Sequence, residues 1–143
     1  MRRLACLLLS VWLLPGAAAD RDWSPTEMVG THIFDGVDGF AVFSATHLLW
    51  IYYDPKRPAL NGDAPSDADL ALMMRTGEAV GGTYILTGPG RMTLEITHAM
   101  DPRMVGQHWE YEYVWLGEGR ARYWVLNPDG TRGDRTGSSR KVE

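Results

Sequence analysis

The sequence is nearly without cysteine: the single one, Cys6, lies ahead of an apolar run at the amino terminus, the wrong side of it for a lipid-anchored thiol. That terminus reads as an export signal over residues 1–19. Arg2 and Arg3 form the basic start, Leu4 to Leu14 the apolar stretch and Ala17-Ala18-Ala19 the small-residue cleavage site. The expected mature chain, from Asp20, then has no thiol at all. A disulfide framework, a thiolate metal site and a cysteine nucleophile are excluded. Positive charge is scarce too: 14 Lys and Arg stand against 18 Asp and Glu, and removing Arg2 and Arg3 leaves twelve against eighteen, about −6. Nucleic acid and anionic membrane, which demand a basic surface, are poor partners for such a chain. No second long apolar run follows the leader, so the mature protein is expected to be soluble, in the periplasm or the medium.

Catalytic signatures are missing as well. There is no Gly-x-Ser-x-Gly elbow, and Gly88-Pro89-Gly90 is a hairpin turn rather than a phosphate loop, because no helix follows it. No repeat, low-complexity tract or linker divides residues 20–143, which suit a single domain. No cofactor is implied.

What is present is strand after strand. Residues 20–27 read as a polar leading arm carrying Trp23, and Val29, Thr31 and Ile33 alternate before an Asp-Gly-Val-Asp-Gly turn. Residues 40–54, FAVFSATHLLWIYYD, are long enough for one bent strand or two. A proline-rich loop occupies 55–65, and Ser66 with Asp69 predicts a capped helix from about Asp67 to Ala79, ended by Gly81 and Gly82. Leu70, Met73, Met74 and Val80 would share its inner face, as in a lid packed on a barrel. TYILT, MTLEITHAM, QHWEYEYVWL and RARYWVL then alternate in successive hairpins, and RTGSSRKV can close the sheet as a last strand. The expected fold is mostly β, a small antiparallel barrel with one short helix on or over it, since closure removes exposed edges.

Two strand faces carry the functional reading. Trp109, Tyr111, Tyr113 and Trp115 share one face of their strand, opposite His108, Glu110 and Glu112. Such rings suit a packed core or the wall of a cavity, because tyrosine and tryptophan join apolar area to a polar tip. In MTLEITHAM the parity puts His98 with Met92, Leu94 and Ile96, inside the barrel. There the imidazole would be a satisfied core residue, a ligand contact or a general acid or base. A metal site from His98, His108 and Glu110 is not expected, since that parity sets His98 on the other side of the wall from the other two. His32 and His47 stand alone and read as packing or surface residues.

The stretch from Gly82 to Val125 resembles the bacterial lipocalin-like domains, small calycin-type barrels. The likeness lies in Gly82-Thr83-Tyr84 opening a strand after a helix, in His98, Pro102 and Gly106 spaced as H-A-M-D-P-R-M-V-G, and in the strand, glycine turn and strand beyond. Where that family has a glutamine and an arginine after the glycine, this chain has Tyr111 and its neighbours, so the arginine's role does not carry over. The resemblance implies a barrel with an internal pocket. Three readings follow: a carrier of a small hydrophobic or aromatic molecule, a proton-transfer enzyme using His98, or a pocketless interaction module of the envelope. In the first, His98, Tyr84, Tyr111 and Tyr113 are the polar contacts, with Trp109 and Trp115 as walls.

Overall fold

Alternating side chains fold into eight strands: β1 (Gly30–Phe34), β2 (Asp38–Phe43), β3 (His47–Tyr53), β4 (Gly77–Gly88), β5 (Arg91–Ala99), β6 (His108–Gly117), β7 (Arg120–Leu126) and β8 (Arg132–Lys141). The computed structural model describes residues 25–57 and 65–142, so the expected export signal and Trp23 lie outside the described residues. Each strand pairs antiparallel with its sequence neighbour, and β1 pairs with β8 to close the barrel. The result is the calycin-like architecture expected. Residues 40–54 resolve into two strands, β2 and β3, with the Ser44 hydroxyl accepting the backbone N–H of His47 at 3.0 Å across the turn. RTGSSRKV does close the sheet: its Ser139, Arg140 and Lys141 pair with Phe34, Ile33 and His32.

Among the described residues two α-helices accompany the strands, a single turn α1 (Pro25–Met28) and α2 (Asp67–Arg75), with a 3-10 turn over Pro102–Met104. The capping box at Ser66 forms, with Asp69 N–H donating to the Ser66 hydroxyl at 3.2 Å and Ser66 N–H to the Asp69 carboxylate at 2.9 Å. The helix ends earlier than expected. From Gly77 the backbone is taken up by seven register pairs with β3, so Val80, Gly81 and Gly82 are strand residues and not a helix stop. No residue of α2 is buried, and Leu70 and Met74 are exposed, so the methionines fill no core. Among the described residues no helix is long and apolar enough to cross a membrane.

The interior has two halves. On β4 and β5, Val80, Met92, Leu94 and Ile96 are at most 1% exposed and pack as a solid aliphatic wall. Tyr84, Leu94 and Trp109 lie side by side on β4, β5 and β6. Rings dominate the other half. Outside, Ile33, Phe40, Val42 and Leu49 are all exposed on β1 to β3, so this part of the barrel is apolar on both faces.

α1 is fastened at the start of β1. Met28 is buried in the core, its carbonyl accepts from His32 Nε2 at 2.8 Å, and Lys141 Nζ donates to the Glu27 carbonyl at 3.4 Å. With the proton on Nε2, the Nδ1 lone pair of His32 is buried without a partner. Burial holds the imidazole below its ordinary 6.5 and the Lys141 charge adds to this, against the Met28 bond. The folded chain thus keeps His32 neutral, while the unfolded chain takes up a proton near its ordinary value. Stability is full above about 6.5 and falls as pH drops from there toward the lower folded value. We expect the melting temperature to decline between pH 7 and pH 5 and the decline to be shallower in His32→Asn. Equal slopes in the two proteins would show that His32 does not carry it.

Candidate functional site

Positions on β1, β2, β3, β6, β7 and β8 line a cavity among Trp50, Tyr52, Tyr111, Tyr113, Tyr123 and Arg135. The residues that make room for it are small: Ala41 on β2 and Ser139 on β8 line it, and Gly137 lies under Tyr123, where a Cβ would come within 2.5 Å of the phenol oxygen. The space open to the centre of a water-sized sphere is about 50 Å³. A single water needs roughly 10–15 Å³ by that measure. Three to five waters therefore fit.

The rings form a continuous lining. Centroids are 5.8 Å apart for Tyr111 and Tyr113, 5.7 Å for Tyr113 and Tyr123, and 6.4 Å for Trp50 and Tyr111. Burial pushes the phenols of Tyr111, Tyr113 and Tyr123 above their ordinary value, and a neighbouring phenol adds to this at Tyr111 and Tyr113. All three remain hydroxyl groups at neutral pH. The one charged lining residue, Arg135, is already matched: Nη2 donates to both oxygens of Glu78, one at 2.5 Å, and to the Tyr52 hydroxyl at 3.4 Å. Its guanidinium lies 4.6 Å from the Trp109 ring centroid. Tyr52 in turn donates to Glu78 at 3.2 Å, across the β3–β4 pair.

Of the six expected contact residues, Tyr111 and Tyr113 line the cavity. Tyr84 is buried in the core, but its hydroxyl donates to the Ser44 carbonyl at 2.6 Å and so ties β4 to the β2–β3 turn. Trp109 stands behind the lining, 5.9 Å from Trp50, with its Nε1 donating to Gln107 at 2.9 Å. Trp115 is half-buried opposite Ala121, toward the end of β6 and outside the lining.

His98 is on the outer wall, which corrects the parity reading. Gly81 pairs with His98 while Gly82 pairs with Ile96, so Thr97 is an extra residue, a β-bulge that turns the next side chain to the other face. The imidazole is exposed, 2.9 Å from the Thr97 hydroxyl. A proton-transfer enzyme built on His98 therefore loses its base, because that ring does not reach the cavity. His98, His108 and Glu110 are exposed on one side of the wall after all. Even so, among the described residues no group of three or more His, Cys, Asp or Glu is placed to hold a metal ion.

The residues that sequence reasoning missed are Trp50, Tyr52, Tyr123 and Arg135. A signal existed for Tyr123, which shares the parity of Ala121 and Val125 in RARYWVL. Arg135 sits in a polar segment where nothing marks it as inward. No protein-family model matches the chain, and no curated protein matches it significantly.

Proposed function

We propose that the chain is an exported, lipocalin-like carrier that holds a small hydrophobic or aromatic molecule inside its barrel. The observation that carries this reading is the ring-lined cavity itself. A barrel evolved only to pack would gain stability by filling a space of several waters, since each lost contact costs dispersion energy. Tyr111, Tyr113, Tyr123 and Trp50 supply flat apolar area, and Trp109 backs Trp50. Export to the periplasm or the medium rests on residues 1–19, and the acidic balance of the mature chain supports no nucleic-acid or membrane partner.

Native mass spectrometry of the purified protein tests the reading. The expected result is a mass excess that disappears on denaturation. Ala41→Leu, which directs three more carbons into the cavity, should lose that adduct without lowering the melting temperature. A protein that carries no adduct and takes up no ethylbenzene, a single-ring probe, removes the reading.

A further inference from the structure

We infer that the ligand is uncharged and carries a hydrogen-bond acceptor on a single flat ring, as an aryl ketone does. This rests on the carrier reading and narrows it to a chemical class. Three residues that line the cavity, Tyr111, Tyr123 and Ser139, carry hydroxyls that donate to no described residue. Tyr111 and Ser139 are only 4% and 5% exposed. Buried hydroxyls are nearly always hydrogen-bonded, so those of Tyr111 and Ser139 take water or an acceptor brought by the ligand. A phenol gives a proton to a hydrogen bond more readily than it receives one, and a guanidinium can only give. The one carboxylate at the site, Glu78, is held by Arg135 and Tyr52. Among the described residues the cavity is thus rich in donors, and the carboxylate beside it is already engaged.

Charge is settled by the same contacts. Arg135 is neutralised by Glu78 and stacked on Trp109, which leaves no net positive charge for an anion. A carboxylate entering the cavity would lie near Glu78 among rings, where an unpaired charge is costly to bury. A cation would find no free carboxylate at the site among the described residues, because Glu78 is engaged, and its charge too would be buried unmatched. A neutral carbonyl accepts from Tyr111 or Tyr123 and leaves its ring against Trp50 and the phenols. A hydrocarbon of the same shape leaves those hydroxyls unpaired, the case in which a binding site discriminates most strongly.

Ethylbenzene, acetophenone and benzoate share one ring and differ in the group the hydroxyls would meet. Calorimetric titration at pH 7 should rank acetophenone about tenfold tighter than ethylbenzene, one good hydrogen bond. Benzoate should bind at least about tenfold more weakly than acetophenone. In the double variant Tyr111→Phe, Tyr123→Phe the acetophenone advantage should vanish while ethylbenzene binds within about twofold of before. Neither hydroxyl holds the fold, so this variant should melt no lower than the parent. Should it fail to fold, the ranking in the parent protein still decides. Ethylbenzene equal to acetophenone, or benzoate tightest, overturns the inference and leaves the carrier reading standing. Binding of none of the three overturns both.

Discussion

Gly82→Ala is expected to destabilise the barrel by about 3 kcal/mol or more, a large fraction of the total stability of a small domain. A Cβ at Gly82 would sit 1.9 Å from the Glu95 carbonyl oxygen, 2.9 Å from its carbon and 3.1 Å from the Ile96 Cα. All three are backbone atoms, so no rotamer change relieves the clash and β4 and β5 must separate. They approach this closely because the Thr97 bulge bends β5 at the rung beside Gly82. Gly88→Ala, at the far end of β4, is the control: nothing lies within 4 Å of its Cβ, and its effect should stay within about 0.5 kcal/mol. Urea unfolding followed by circular dichroism measures both. An unchanged midpoint in Gly82→Ala would mean that the two strands are not so close.

Leu94→Ala should destabilise by about 2–5 kcal/mol and lower the melting temperature on the order of 10 °C. Leu94 is 0% exposed at the centre of the aliphatic wall, with Tyr84 on one side and Trp109 on the other. Both neighbours are anchored by hydrogen bonds, Tyr84 to Ser44 and Trp109 to Gln107, so neither moves readily into the void. Failure to collapse places the cost high in the range, because the cavity adds to the lost transfer energy. Ile85, 65% exposed on the same hairpin, is the comparison, and Ile85→Ala should change stability by under about 0.5 kcal/mol. A Leu94→Ala loss as small as that would contradict a solid wall at this position.

Much of the fold was legible because period-two alternation survives wherever one face is polar. β5 to β7 and the Ser66 cap read directly, and QHWEYEYVW showed which face of β6 turns inward. The site was less legible, for three separate reasons. A bulge changes the count by one residue, and nothing in Thr97 announces it, so His98 was assigned to the wrong face. In FAVF all four residues are apolar, yet Phe40 and Val42 face out and Ala41 and Phe43 face in. Such a strand conceals its inner face, and Trp50 and Tyr52 on its neighbour share the ambiguity. Arg135, though exposed, is drawn to the cavity lining by an ion pair with Glu78, 57 residues away, which no local pattern can reveal. The helix overran in prediction because Gly81 and Gly82 resemble a stop, whereas Gly82 is there to admit a neighbouring backbone.

The barrel is a hoop, and its weld is its shortest joint. β1 and β8 share three register pairs, flanked by the bonds from Asp35 N–H to the Ser138 carbonyl and from Val142 N–H to the Thr31 carbonyl, whereas β3 and β4 share seven. One of those three pairs is Phe34 with Ser139, and both residues line the cavity. Local opening takes least free energy where the fewest rungs must part. Amide protons along this joint should be the first of any strand pair to exchange with deuterium, and a molecule enclosed by the wall has its cheapest doorway there.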